Sequence, residues 1–499
     1  MCGIVASHGG ADPAALERML ERVAHRGPDD TGSIEVGDAW LGHRRLSIVD
    51  LDAGRQPLEH PEGGFWLVGN GEIYNHEHVR ARLGGPEALT DSDNEVALLL
   101  LDAHGPESLA RLNGMFAVVA AAEDGRFIAA RDPVGIKPLY WARRAGAVRF
   151  ASEMHAFDPD WQPYVEPFPP GCAWTPTGGL VRFAGAIPEN TLEAPAPEDW
   201  ARGTRAALIA SVERQLMGDV PVGAFLSGGL DSSLVAAIAA RAYARRGERL
   251  QTFAVGTEDS PDLAAARLVA EHIGSEHHER IYTAQDAHDV LPTVVRSIES
   301  FDPGLVRSAV PNFLLAEMTV RHVKVVLTGE GADELFAGYD YLRDFPEAGD
   351  LHAELERTVR ALHNLNLQRC DRVTMAHGLE ARVPFLDREM ITWGMRLPPE
   401  AKLAGPGVPE KKLLREAFDG WLPKALLWRE KAEFGDGSGA RDVMSEVVSA
   451  DIGDAEFEAE RGAVEPPLRT KEELAYHRIF RAHLPGVRAE VALSRFARA

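Results

Sequence analysis

The chain has 499 residues, which is too long for one hydrophobic core of ordinary size, so we expect two or three domains. Its 45% hydrophobic and 26% charged residues are typical of a soluble globular protein, and no apolar stretch is long enough to span a bilayer. The formal net charge of −23 argues against nucleic acid as a partner, and we expect no membrane partner either. The three cysteines, Cys2, Cys172 and Cys370, offer neither a disulfide framework nor metal-ligand spacing. This use of cysteine, together with the lack of a secretory signal at the start, predicts a cytoplasmic protein.

Cys2 is the first residue with a candidate chemical role. Aminopeptidases remove an initiator methionine before a small residue, which would leave Cys2 with a thiol and an α-amino group of pKa ~8. That amine can act as the general base for its own side chain, without a histidine partner. On position alone, a nucleophile and an ordinary early cysteine are equally good interpretations.

Four polar segments decide between these interpretations. They are residues 25–29, 45–50, 69–75 and 91–95. Residues 45–50 are predicted as a short strand entered by an arginine, and Asn70-Gly71 alone would signal a hairpin turn. In identity and spacing, the four segments and Cys2 together resemble the glutaminase domain of class II, N-terminal nucleophile, glutamine amidotransferases.

The resemblance implies a role for each segment. Arg45 would pair with the glutamine α-carboxylate, helped by the backbone that follows it, and the α-ammonium would lie between Glu72 and Asp93. The Asn70 side chain and the Gly71 N–H would form an oxyanion hole, where one donor is worth ~10²–10³ in rate. Cys2 would attack the side-chain amide, form a γ-glutamyl thioester and release ammonia. The implied glutamine-binding residues are Arg45, Leu46, Ser47, Ile48, Val49, Asn70, Gly71, Glu72 and Asp93.

The strand pattern divides the chain. Paired strands are predicted at residues 114–119 and 126–132, and further strands follow beyond residue 169. We interpret residues 2–187 as two stacked antiparallel sheets covered by helices, an αββα sandwich. Prolines at both ends of residues 188–197 indicate a linker, taken as 188–199. Residues 200–499 are then an α/β domain with a parallel sheet and a helical C-terminal part.

Residues 220–240 predict a buried strand, a Gly/Ser turn and a helix. The turn, Ser-Gly-Gly-Leu-Asp-Ser-Ser at 227–233, would gather free backbone N–H groups at a helix N-terminus, which suits phosphate. It lacks the Gly-Lys-Ser/Thr ending of a P-loop. It resembles the signature of ATP pyrophosphatases, in which Asp231 would hold Mg²⁺ while the serine hydroxyls and the amides hold pyrophosphate.

Two further apolar segments, 252–256 and 323–327, are predicted strands of the same parallel sheet, and the strand at 323–327 is expected to lie next to the one that precedes Asp231. Residues 328–336 follow at a carboxyl end, where open α/β sheets bind ligands. With the 227–233 turn and segments 380–387 and 428–437, they resemble the synthetase domain of glutamine-hydrolysing asparagine synthases, and the resemblance extends from Cys2 to near Arg481. It implies Asp333 as a second Mg²⁺ ligand and Glu330 and Lys431 as catalytic, with Lys431 neutralising phosphate charge as an adenylate forms. The implied ATP-binding residues are Leu226, Ser227, Gly228, Gly229, Asp231, Ser232, Ser233, Val255, Thr328 and Gly329.

One segment differs from that family. Asparagine synthases typically carry Thr-Thr-Ile-Arg for aspartate, whereas residues 304–307 here are Gly-Leu-Val-Arg. Arg307 remains the candidate that holds the acceptor carboxylate. The expected activity is amidation of aspartate with glutamine and ATP, and the alternative is the same machinery acting on another carboxylate in secondary metabolism. The oligomeric state is left open, with a homodimer as one option.

Two other interpretations fit less well. Beta-lactam synthetases share the architecture, but a resemblance to them predicts the loss of the N-terminal cysteine. A non-catalytic nucleotide-binding protein would require replacement of at least one of Cys2, Asp231, Asp333 and Lys431, and all four are present.

Overall fold

The computed structural model describes residues 2–10, 12–189, 193–345, 348–403, 407–430 and 452–496. Its N-terminal half contains two antiparallel sheets and three α-helices. The strands are β1 (Gly3–His8), β2 (Asp30–Val36), β3 (Ala39–Arg45), β4 (Leu58–Glu59), β5 (Phe65–Ile73), β6 (Gly114–Ala122), β7 (Phe127–Arg131), β8 (Tyr140–Arg144), β9 (Ala147–Ala151), β10 (Val165–Pro167), β11 (Cys172–Thr175) and β12 (Gly179–Arg182), and the helices are α1 (Pro13–Arg22), α2 (His76–Leu83) and α3 (Glu95–His104).

The two sheets stack face to face. Their strand orders are β10-β8-β9-β1-β3-β2 and β12-β11-β7-β6-β5-β4. Aromatic side chains fill the space between them, for example Phe127 of one sheet and Phe150 of the other, whose ring centroids are 5.7 Å apart. Helix α1 adds Leu16 and Leu20 to the core outside one sheet, and α3 packs a buried apolar face against the other. The predicted αββα sandwich is confirmed.

One local prediction in this half, the strand at 45–50, is wrong, and one local turn signal, Asn70-Gly71, is overridden. Arg45 is the last residue of β3, and residues 46–50 leave the sheet, because the Arg45 guanidinium binds carbonyls of its own loop and Asp50 takes a positive φ of 51°. Asn70 and Gly71 lie inside β5, where they pair with Ala117 and Phe116 of β6, and do not form a hairpin turn. Long-range pairing overrides the local turn signal at this position.

The C-terminal half is built on a five-stranded parallel sheet, with the order β15-β14-β13-β16-β17. Its elements are α4 (Trp200–Arg214), β13 (Val222–Phe225), α5 (Leu230–Arg245), β14 (Gln251–Gly256), α6 (Pro261–Ile273), β15 (Glu276–Ile281), α7 (Ala284–Ile298), α8 (Pro303–Thr319), β16 (Val325–Leu327), α9 (Ala332–Leu335), α10 (Ala348–Ala361), α11 (Asn366–Met375), β17 (Glu380–Arg382), α12 (Arg388–Arg396), α13 (Pro399–Lys402), α14 (Lys412–Ala417), α15 (Lys424–Leu427), α16 (Asp454–Glu460), α17 (Lys471–His483) and α18 (Ala489–Ala492).

The sheet order explains why two distant turns meet. Strand β13 lies between β14 and β16, with Val222 opposite Val325, so the turns that follow β13 and β16 share one edge of the sheet. A Cβ on Gly329 would lie 2.9 Å from the Cβ of Asp231, which shows how closely the turns approach. The expected strand–turn–helix at 220–240 and the parallel sheet are confirmed. Within the described ranges, no helix is both long and apolar enough to cross a bilayer.

Candidate active sites

Cys2 immediately precedes β1, and only 7% of it is exposed. Its backbone N–H donates to Oδ1 of Asn70 at 2.9 Å. The Asn70 Nδ2 is buried and meets no hydrogen-bond acceptor among the described residues. Leaving a buried amide donor unpaired costs ~1–3 kcal/mol, so this nitrogen is a candidate donor to an oxygen of a ligand. Burial raises the pKa of the Cys2 thiol, so the thiol form is favoured in the free site.

Gly71 occupies a position that no other residue fits. Its φ is 146°, and an added Cβ would lie 1.9 Å from the carbonyl oxygen of Met115. Next to it, Asn94 donates its side-chain amide to the Gly71 carbonyl at 3.1 Å. This strand segment is therefore held in one conformation, with Asn70 directed towards Cys2.

Arg45 closes the loop that follows β3. Its guanidinium donates to the carbonyls of Val49 at 3.3 Å, Asp50 at 2.5 Å and Leu51 at 3.2 Å. Along the same loop, Leu46 and Ile48 are buried, and the Ser47 N–H donates to Asp29 at 2.8 Å. The five predicted glutamine-binding residues of segment 45–49 thus form one compact loop around the arginine.

Glu72 and Asp93 place two buried carboxyl groups near this strand. Asp93 accepts from the Ile73 N–H at 2.6 Å and from the Asn94 side chain at 3.1 Å. Glu72 lies 3.4 Å from the guanidinium of Arg382, which comes from the C-terminal half. Burial raises the pKa of both carboxyl groups, that of Glu72 well above its usual range. Two buried carboxyl groups with raised pKa values would be stabilised by a cation.

The 227–233 turn folds tightly at the N-terminus of α5. The Ser232 hydroxyl accepts from the Ser227 N–H at 3.2 Å and contacts the Ser227 hydroxyl at 3.0 Å. Gly228 has a φ of 75°, and a Cβ there would lie 2.6 Å from the Cβ of Ala265. The other predicted ATP-site residues adjoin the strand ends. Leu226, Val255 and Thr328 are buried, Gly229 is the N-cap of α5, Asp231 and Ser233 lie at the start of that helix, and Gly329 follows Thr328 in the turn after β16.

Lys411 joins the two predicted metal ligands. Its Nζ lies 2.5 Å from Oδ2 of Asp231 and 2.8 Å from Oδ1 of Asp333. Burial disfavours its charge, but the two carboxylates outweigh that cost and raise the pKa of the ammonium. Sequence reasoning missed this residue, because Lys411 stands in a Glu-Lys-Lys run typical of a solvated surface, 180 positions from Asp231.

Glu330 is engaged by an arginine from helix α11. The Arg369 guanidinium forms an ion pair with Oε1 of Glu330, while burial raises the pKa of the Glu330 carboxyl. Lys431, and most of the 428–437 segment, lie outside the described residues.

Arg307 on α8 is bound by Glu472 of α17. Its Nε donates to Glu472 Oε1 at 2.9 Å, a second nitrogen contacts Oε2, and the Tyr476 hydroxyl donates to Oε1 at 2.8 Å. A carboxylate of the chain itself therefore occupies the guanidinium that was predicted to hold the acceptor.

Comparison with known proteins assigns the family. A family model described as asparagine synthase matches residues 203–349 and 341–496, and one described as a glutamine amidotransferase domain matches residues 1–167. A glutamine-hydrolyzing asparagine synthetase of Asparagus officinalis is 42% identical over 461 residues, which cover 88% of this chain and 78% of that protein. The glutamine-hydrolyzing asparagine synthetase 1 of Arabidopsis thaliana is 38% identical over 510 residues, which cover 97% of this chain and 87% of that protein. Asparagine synthetase B of Escherichia coli (strain K12) is 39% identical over 497 residues, which cover 94% of this chain and 87% of that protein. The chain belongs to the asparagine synthase family.

Proposed function

We propose that this enzyme is a glutamine-dependent asparagine synthase. It hydrolyses glutamine to ammonia, converts the aspartate side-chain carboxylate to an acyl-adenylate with ATP, and amidates it with release of AMP and pyrophosphate. The observation that carries the proposal is the presence, in one chain of this family, of the Cys2–Asn70 pair and the Asp231–Asp333 pair. We assign residues 2–187 to the first reaction and 200–499 to the second, joined by the 188–199 linker.

In the glutaminase reaction, Cys2 attacks the glutamine amide and its own α-amino group takes the thiol proton. The unpartnered Nδ2 of Asn70 and the N–H of Gly71 stabilise the oxyanion. Arg45 holds the α-carboxylate, and the buried carboxyl groups of Glu72 and Asp93 hold the α-ammonium. Their raised pKa values support this role, because an ammonium is the ligand that would compensate their burial.

In the synthetase reaction, the 227–233 turn binds the phosphates of ATP through its N–H groups and hydroxyls. Asp231 and Asp333 would hold Mg²⁺, and their arrangement fits, because both already contact one cation, the Lys411 ammonium. The metal ion would offset the negative charge of the phosphates. We assign to Lys431 the neutralisation of charge on the phosphates as the adenylate forms, and we assign Glu330 to the catalytic residues of the same reaction.

The acceptor is aspartate in the main proposal, with Arg307 as its carboxylate partner. The second candidate is another carboxylic acid, favoured by the Gly-Leu-Val-Arg segment and by the Glu472 carboxylate that occupies Arg307. Aspartate would have to displace Glu472 to reach this guanidinium.

The experiment measures pyrophosphate release with ATP and Mg²⁺ against a panel of carboxylic acids. We expect robust release with aspartate, and transfer of ¹⁵N from amide-labelled glutamine into asparagine. We also expect Arg307→Ala to raise the KM for aspartate. Release with another acid and none with aspartate would replace the main proposal with the second candidate.

A further inference from the structure

Helix α11 lies between the two candidate active sites. All of its residues from Leu367 to Met375 are buried. Arg369 and Asp371 are two residues apart, which at about 100° per residue places them on nearly opposite sides of the helix. One side of the helix can therefore contact the glutaminase site, and the opposite side can contact the nucleotide site.

Asp371 faces the glutaminase site. Its two carboxylate oxygens accept from the Arg26 guanidinium at 2.9 Å and 3.2 Å. Arg26 is completely buried, and its Nε donates to the carbonyl oxygen of Cys2 at 3.0 Å. A carboxylate of the C-terminal half thus orients the arginine that holds the backbone of the candidate nucleophile.

Arg369 and Asn366 face the nucleotide site. Arg369 pairs with Glu330, in the turn that follows β16. Asn366, the first residue of α11, donates to Glu334 at 3.4 Å and to the Tyr339 hydroxyl at 3.2 Å. Helix α11 therefore contacts both the turn that carries Glu330 and helix α9, which carries Asp333.

We propose that Asp371 is a positioning residue of the glutaminase site and that α11 links this site to the nucleotide site. The inference rests on the proposed function. Asp371 fixes Arg26, Arg26 fixes the Cys2 carbonyl, and a shift of Glu330 when nucleotide binds moves Arg369 and the helix that carries Asp371. Such coupling acts equally in both directions on binding free energies.

The design of a variant follows from the partners of Arg26. Its guanidinium also donates to Glu153 at 2.6 Å, so Asp371→Asn leaves the buried charge paired. Asp387→Asn is the matched control, because Asp387 is another buried carboxylate between the halves, which bonds Asn113 and Arg214 but not Arg26.

The test measures the rate at which a glutamine-analogue diazoketone alkylates Cys2, followed by intact mass. Rates are compared without ligands and with aspartate, Mg²⁺ and a methylene-bridged ATP analogue that cannot release pyrophosphate. We expect Asp371→Asn to lower the alkylation rate and the glutaminase kcat roughly 100-fold, with an unchanged KM for glutamine and retained ammonia-dependent synthesis. We expect ligands to change the wild-type alkylation rate roughly fivefold or more, and Arg369→Gln to remove that change.

The proposal is overturned if Cys2 of Asp371→Asn is alkylated at the wild-type rate. It is also overturned if Asp387→Asn lowers the alkylation rate as much as Asp371→Asn does. A ligand effect that survives in Arg369→Gln overturns the link through α11. If Asp371→Asn does not fold, Arg26→Lys must show the same loss of kcat, because a single ammonium nitrogen cannot reproduce the planar fork whose separate nitrogens reach the Cys2 carbonyl and the two carboxylates. If wild-type Cys2 is not alkylated at all, the proposed glutaminase activity fails instead.

Discussion

The backbone N–H of Cys2 is bound by Oδ1 of Asn70, and the other end of that side chain offers an unpartnered donor. Asn70→Asp keeps the acceptor and removes the donor. We expect kcat for glutamine hydrolysis to fall ~10²–10³-fold, because one oxyanion donor is lost. Synthesis from ammonium salt is the control and should persist. A variant that hydrolyses glutamine at the wild-type rate would exclude Asn70 from the oxyanion hole.

Cys2→Ala removes the candidate nucleophile without disturbing the backbone contact to Asn70. We expect glutamine-dependent synthesis to be abolished and ammonia-dependent synthesis to remain largely intact. Both rates are measured as AMP formation in the presence of aspartate. Joint loss of both activities would show that the two reactions do not use separate sites.

Asp231→Asn and Asp333→Asn each remove one charge from the pair that Lys411 bridges. We expect each variant to lose Mg²⁺-dependent pyrophosphate release, while glutaminase turnover stays near the wild-type rate. Asp340→Asn, which changes an almost fully exposed carboxylate nearby in sequence, is the control. Unchanged pyrophosphate release in both variants would exclude the metal assignment.

Lys411→Met leaves the carboxylates of Asp231 and Asp333 without the cation that both contact. Like charges repel at this distance, so we expect a lower Tm in chelator than for wild type. Added Mg²⁺ should raise the Tm of the variant by more than it raises the Tm of the wild type, because the ion binds only the folded site. Lys412→Met, at the half-exposed neighbouring lysine, should leave the response to Mg²⁺ unchanged. An equal Mg²⁺ response in Lys411→Met and wild type would contradict the assignment.

The pKa values of Glu72 and Asp93 are raised by burial in the free site. A bound ammonium lowers both values, so glutamine binding should release protons and the glutamine KM should increase as the pH falls through the raised values. Calorimetry on Cys2→Ala, in buffers of different ionisation enthalpy, counts the protons released. Adding Asp93→Asn to Cys2→Ala should lower the number of protons released when glutamine binds. Equal proton release with and without Asp93→Asn would exclude Asp93 as a partner of the ammonium.

Local patterns predicted the strand–turn–helix at 220–240, the parallel sheet with β16 beside β13, and the paired strands β6 and β7. These features follow from apolar runs and glycine turns, which act over short distances. The strand predicted at 45–50 failed, because the path of that loop depends on where the Arg45 guanidinium binds. Lys411 and Asp371 gain their roles from contacts with residues far away in the chain, and no spacing rule shows such contacts. The individual site roles stay predictions.

Strand β1 is an inner strand of its sheet, with β3 on one side and β9 on the other. It can be fully paired only after residue 151 has been synthesised, and afterwards Cys2 is buried. Before β9 pairs with β1, the sheet does not yet cover Cys2, so an aminopeptidase can reach a residue that precedes it. At about 5–20 residues per second, ribosomes reach residue 151 in roughly 8–30 s, which is the time that such a cleavage has on the unpaired segment.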